Sequence, residues 1–261
     1  MIKITKVLLA VGTFMFCSST FSSAADSKDT VNFNVISEQF LWKAKNDQST
    51  QVEQNSLANV SIEELDRALN TDDKRFAFWL NIYNGYIQVL LKKNPELYDD
   101  RREFFSKKQI TIAGTALAFS DIEHGIIRKS QWPLGLGYIR RIFVSKFERK
   151  LRVNQRDYRV HFALNCGAKD CPPVAIYTAE RVNEQLEKGT EQHIRRTSTF
   201  NSEKNEVAIT SLFSWFRGDF GSERGVKKIL LRTGVIPSKK GIKLVYTNYD
   251  WTLSLDNWTD L

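Results

Sequence analysis

Cysteine is scarce in this chain, three among 261 residues, too few to build a disulfide scaffold. Proline and glycine are sparse as well, five and thirteen, which excludes fibrous and low-complexity architectures. Beyond the N-terminus no stretch approaches the roughly 18 apolar residues that a membrane-spanning helix requires. A glycine-rich phosphate loop, a G-x-S-x-G elbow and an H-E-x-x-H motif are all missing. Kinase, dinucleotide-dependent dehydrogenase, α/β-hydrolase and zincin chemistries therefore lack their defining residues. What is present is a 42% hydrophobic and 12% aromatic composition, which is that of an ordered chain long enough to bury a large core.

The first 25 residues read as a cleaved secretory leader. Lys3 and Lys6 precede the uncharged apolar run Val7 to Phe16, and Ser22, Ser23, Ala24 and Ala25 supply small residues for a peptidase. Ten helical residues span only about 15 Å, half a bilayer core, which disfavours an anchor. Lipidation at Cys17 is disfavoured by Phe16 in place of a small residue. The expectation is an exported protein, periplasmic or extracellular, cleaved near Ala25. Cleavage leaves Cys166 and Cys171 as its cysteines. Lysine and arginine outnumber aspartate and glutamate by 38 to 30, either a solvated surface or a site for an anionic or polar cell-envelope partner. Nucleic acid is not expected as a partner, and no cofactor is implied.

No repeat or flexible linker divides the remainder. The mature chain reads as one domain, with residues 26–59 as an N-terminal segment carrying a short helix over Phe33 to Lys45. Ser61 and Glu64 make a capping box that opens a helix over 62–70. The strongest element is DKRFAFWLNIYNGYIQVLLKKN, apolar nearly all round and so central. Asn81, Asn84 and Gln88 lie on one stripe of it and either line a cleft or pin loop backbone. Residues 109–119 predict a hairpin around Gly114. Ser120 and Glu123 make a second capping box before the helix DIEHGIIRKS. RIFVSKF and YRVHFALN read as strands. Thr178 caps a long helix to about Arg196, EVAIT is a strand, SLFSWF and ERGVKKILLRTG are helical, and IKLVYTNYDWTLSL closes the chain as a strand or hairpin. The fold class is α+β, with several helices on a small, mainly antiparallel sheet.

FWLNIYNGYI, SDIEHGIIR, RVHFALNCGAKDCPPV with YTAERV behind it, SWFRGDFG and NYDWTLSL occur here in this order. Together they resemble an exported, bacterial-type member of the family known as domain of unknown function 547, over roughly residues 60 to 257. The resemblance implies a shared fold and supplies no activity. The closing motif departs from the family's usual Tyr-Asp-Trp-Ser-Leu-Asn by Thr252 and Ser254, which puts any role of the terminal Asn in doubt.

The chemistry-bearing residues gather around one segment, and three readings stay open. Cys166 and Cys171, five positions apart in an exported chain, form a loop-closing disulfide. Alternatively Cys171 is a nucleophile with His161 as base and Asp250, Asn81 or Asn84 as orienter, as in papain-like or transglutaminase-like enzymes. A zinc site from His161, Cys166, Cys171 and His124 has spacing at or beyond the usual range, and no metal is expected. Glu123 and His124 are candidate binding residues beside Asn81, Asn84 and Gln88, although capping already occupies Glu123. His193 reads as a surface residue. Trp215, Phe216, Asp219 and Phe220 read as a packed turn, and Tyr249 and Trp251 as core. A cell-envelope binding protein with a stapled loop is favoured over a thiol-dependent hydrolase or acyltransferase.

Overall fold

Asn32 caps the first described helix: its side-chain oxygen accepts from the amides of Asn34 and Val35 and starts α1 (Phe33–Lys45). The computed structural model describes residues 31–261, and Val31–Leu261 form one compact unit. The leader pattern lies outside the described residues. After α2 (Gln51–Asn59), which the sequence pattern does not reveal, Ser61 accepts from the Glu64 amide and opens α3 (Ile62–Ala68). α4 (Asp72–Lys93) follows, capped by the Thr71 hydroxyl on the Lys74 amide. Its side chains are buried from Arg75 to Gln88 without a break. A Cβ on Gly85 would meet Phe40 Cε1 at 2.3 Å, so the missing side chain lets α1 and α4 close on each other.

Around α4 lie α5 (Arg101–Ser106) and the antiparallel hairpin of β1 (Ile110–Ile112) and β2 (Thr115–Leu117). The short α6 (Lys146–Leu151) also packs nearby. The C-terminal half adds α7 (Val182–Thr197), β3 (Thr199–Asn201), β4 (Glu206–Ile209), α8 (Leu212–Trp215), α9 (Ser222–Arg232) and β5 (Lys243–Tyr246). In this second sheet β3 runs antiparallel and β5 parallel to β4. The class is α+β, with two small sheets. Among the described residues no helix is long and apolar enough to cross a membrane.

Two hydrophobic clusters result, one around α4 and one formed by α7, α8, α9 and the second sheet. Their meeting line explains the main misreading of the sequence. YRVHFALN is not a strand but a 3-10 turn, Tyr158–Phe162. Val160 enters the first cluster and Phe162 the second. Both sides of the segment are buried, so its alternation does not mark a sheet face. RIFVSKF is no strand either: Ile142 and Phe143 are 86% and 94% exposed and α6 begins at Lys146. Thr178 does not cap α7: the helix starts at Val182 with Arg181 at the cap position and no side-chain cap, and the Thr178 amide instead donates to Gln185 Oε1.

Candidate functional site

The asparagine stripe of α4 positions the cysteine loop. Asn84 donates to Ala163 O and accepts from the Asn165 amide, at 3.0 and 2.9 Å. Asn165 in turn donates to Pro172 O and accepts from the Gly167 amide. Asn81 holds Tyr177 by both its amide and its carbonyl, and Gln88 accepts from the Asp256 amide at 3.2 Å. All three α4 amides are fully buried. The cleft-lining reading of Asn81, Asn84 and Gln88 is thus corrected: Asn81 and Asn84 spend both polar atoms on backbone, as buried amides require, and Gln88 spends its oxygen there while its Nε2 has no partner.

The sulfurs of Cys166 and Cys171 lie at disulfide distance, 2.20 Å. Gly167 takes φ +85° between them, a left-handed conformation that suits glycine. The chain end braces this loop: Lys169 donates to Thr252 O, and Ser254 donates its amide to Gly167 O. Ser254 therefore contributes through its backbone, whichever side chain stands there.

Beside the loop, a pocket of about 510 Å³ opens where the two clusters meet. Leu164, Leu212, Trp215, Phe216 and Trp251 give it apolar walls. Trp215 and Trp251 stack with centroids 5.6 Å apart. Glu123, His124, His161 and Cys166 also line it. Tyr249 and Trp251 are therefore not core but pocket wall, and Trp251 is 36% exposed.

Glu123 and His124 reach the pocket from a π-helix, Asp121–Ile127, in which the Arg128 amide donates back five residues to Glu123 O. Such widened turns recur at functional sites. The expected Ser120–Glu123 capping box is absent, since Asp121 instead accepts from the Ala118 amide. Glu123 is thereby free to approach Tyr83 Oη and His124 Nδ1, each at 3.5 Å. Burial, reinforced by the Glu123 charge, pushes the Tyr83 hydroxyl well above its ordinary value.

Behind this wall sits a charge cluster that sequence reasoning missed. Asp219 Oδ2 accepts from Arg128 Nε at 2.7 Å and bonds His161 Nε2 at 2.9 Å, while Oδ1 accepts from Arg156 Nη1 at 2.8 Å. The Phe216 ring stacks on His161 at 4.0 Å, and the Arg128 guanidinium lies over it at 4.5 Å. Burial pushes the Asp219 carboxyl up, but His161 and Arg128 outweigh it and hold it at about 2. The carboxylate that orients His161 is thus Asp219, not Asp250, whose side chain pairs with Lys169 at 3.1 Å and caps the Thr252 amide. Asp219 belongs to the SWFRGDFG motif, but it lies 58 residues from His161, and no local pattern links the two. The cysteine on the pocket wall is Cys166, while Cys171 is fully buried beneath it with Tyr249 Oη at 3.3 Å.

The bonding partners settle both imidazole tautomers. Burial lowers the proton affinity of His161, against the pull of Asp219, so the ring is neutral and donates Nε2–H to the carboxylate. Its Nδ1 lone pair has no protein partner among the described residues. His124 is also lowered, first by burial and then by Arg128 against Glu123. Arginine can only donate, so its Nη1 contact of 2.7 Å makes His124 Nδ1 an acceptor and leaves Nε2 carrying the proton. One wall of an apolar pocket thus presents a proton acceptor and a proton donor. Among the described residues no cluster of His, Cys, Asp or Glu is arranged to hold a metal ion.

The third histidine is not at the surface. His193 is 2% exposed, and burial, with Arg196 beside it, lowers it to about 3. All three rings are neutral when folded, whereas an unfolded histidine takes a proton below about pH 6.5. The unfolded state then binds more protons, so stability falls as pH drops below about 6.5. For His193 the loss runs toward pH 3 at about 1.4 kcal/mol per pH unit, and His124 and His161, lowered as well, add to it in the same direction. Melting temperatures between pH 7 and 4.5 should fall steadily, and less so in H193Q. A flat profile contradicts the burial of these rings.

Residues 67–194 match the family described as Protein of unknown function, DUF547. The matched segment carries Glu123, His124, Arg128, His161 and both loop cysteines, while Trp215, Asp219 and Trp251 lie beyond it. No curated protein and no solved structure is found to match the chain.

Proposed function

We propose that this protein binds an amphipathic small molecule in the pocket between its two clusters, the apolar part against Trp215, Trp251 and Leu164 and the polar head between His161 and His124. The observation that carries this reading is the pairing of an acceptor nitrogen, His161 Nδ1, with a donor, His124 Nε2, on the wall of a mostly apolar cavity. Such cavities bind through apolar burial and are made selective by a few polar groups. A head group with a hydroxyl beside a carbonyl, as in an acylglycerol, satisfies both nitrogens. The leader-like N-terminus supports an exported setting, where such ligands come from the cell envelope.

A second reading is favoured by the place of Cys166. If the loop disulfide is reduced, a thiol stands in the same pocket as the His161 base, the arrangement a thiol-dependent acyl transfer needs. This moves the nucleophile from Cys171 to Cys166.

Titration with monodecanoylglycerol, followed by tryptophan fluorescence, tests the first reading. The expected result is a saturable change, with affinity reduced about tenfold in H161Q, which keeps a donor for Asp219 but lacks the ring acceptor. No saturable change, or equal affinity in H161Q, refutes it. Thiol labelling of reduced protein tests the second, which requires Cys166 to react faster than Cys171 and to slow in H161Q.

A further inference from the structure

We infer that the segment 132–146 is a docking surface for an anionic lipid bilayer. Trp132, Leu134, Tyr138, Ile139, Ile142 and Phe143 are all exposed, Leu134, Ile142 and Phe143 by 77%, 86% and 94%. A cluster of this size and composition on one loop is not the scatter of single apolar residues found on ordinary surfaces. From His124 to Phe147 the chain has no acidic residue. Arg128 and Arg141 are occupied by Asp219 and Glu148. Lys129 is half-buried and donates to Asn154 O, and the exposed Arg140 and Lys146 remain beside the apolar side chains, with exposed Arg149 next to them. Lys146 shares an exposed contact with Glu63 at 3.5 Å, which costs little to give up. Aromatic and aliphatic side chains flanked by cations suit the interface of an anionic membrane.

The flanking cations and the lack of acidic residues favour an anionic bilayer as the occupant, and the backbone of residues 132–141 is largely paired within the protein. The Trp132 amide donates to Ile139 O, Gly135 to Trp132 O, Tyr138 to Gly135 O and Arg141 to Ser130 O. Leu136 O accepts from the Gly218 amide and Gly137 O from Arg156. Residues 132–141 therefore offer few unmet backbone groups to a partner, while the amides of Ile142 to Ser145, without a protein partner among the described residues, are left for the hydrated headgroup zone in which such a loop would sit. Its apolar exposure is also held in place: Gly137, at φ +85°, is so close to Asp219 that a Cβ would meet Oδ1 at 2.6 Å. Pro133, Leu134 and Leu136 line the pocket as well, so a loop seated in lipid would open the pocket toward acyl chains. That last step rests on the pocket reading above, and the docking does not.

Co-sedimentation with phosphatidylcholine vesicles, with and without phosphatidylglycerol, tests the inference on the wild type and on I142S/F143S, whose replaced side chains are too exposed to matter for folding. The expected result is binding that requires phosphatidylglycerol, weakens with salt and drops about tenfold or more in the variant. Equal binding by the variant overturns it, as does no binding by the wild type. So does a wild-type dimer, seen by sedimentation velocity, that the variant dissolves, since the surface would then serve a second copy. In vesicle-free fluorescence titration the variant should bind monodecanoylglycerol like the wild type. Failure there counts against the pocket reading and leaves the docking result to stand separately.

Discussion

Replacing Asp219 with alanine should destabilise the fold by about 3–5 kcal/mol, because it strands a buried arginine. The Arg128 side chain is 1% exposed and that of Asp219 is 3% exposed, so water cannot take over as partner. Arg128 already has one buried nitrogen, Nη2, without a hydrogen bond, and loss of the carboxylate would remove its Nε bond as well. His161 would lose the acceptor that fixes its ring, while Arg156 is 39% exposed and can turn to solvent. Chemical denaturation should show the loss for D219A. D219N, which keeps an acceptor oxygen but no charge, should lose much of the same stability. The contribution also depends on pH. Asp219 is held at about 2 in the fold, against about 3.9 when unfolded, so its stabilisation is complete above that value and vanishes as pH falls toward 2. A D219A cost under about 1 kcal/mol would mean that the cluster is not organised around this carboxylate.

N84A should cost about 2–5 kcal/mol, since it leaves both Ala163 O and the Asn165 amide unpaired in a buried site. It should also weaken monodecanoylglycerol binding, because these two residues bracket Leu164 and lead into Cys166 on the pocket wall. Q88L on the same helix stripe should cost only about 1 kcal/mol, because Gln88 makes one bond and its Nε2 has no partner. Equal costs in urea denaturation for N84A and Q88L would show that Asn84 does not have the special role in holding the loop assigned to it.

The long-range links in this site explain how far its sequence could be read. α4 was legible because its apolar residues recur at helical spacing within one window, and so were α1, the β1–β2 hairpin, β4 and α9. Each is a local pattern whose burial follows from its own periodicity. The segment around His161 failed because it lies between two clusters, and burial on both sides erases the alternation that distinguishes a strand. The Ser120 cap failed because the widened turn of the π-helix competes with it and because Asp121 supplies the acceptor. For Asn81 and Asn84 the residue types gave both alternatives, and the partners, 79 to 96 residues away, decided between them. Glu123 and His124 were singled out and do line the pocket. Asp219 was placed in a packed turn, correctly as far as its neighbours go, but its tie to His161 depends on tertiary structure alone.

Two neutral histidines offer opposite hydrogen-bonding faces at one apolar pocket, and the proposed function depends on that pairing. Long-range proton–nitrogen correlation NMR of the imidazoles at pH 7 tests it most directly. The expected spectrum has His161 and His124 both neutral with the proton on Nε2, and adding monodecanoylglycerol should shift the free nitrogen of each, Nδ1 of His161 and the protonated Nε2 of His124. An imidazolium at either position, or His161 with its proton on Nδ1, would contradict the account.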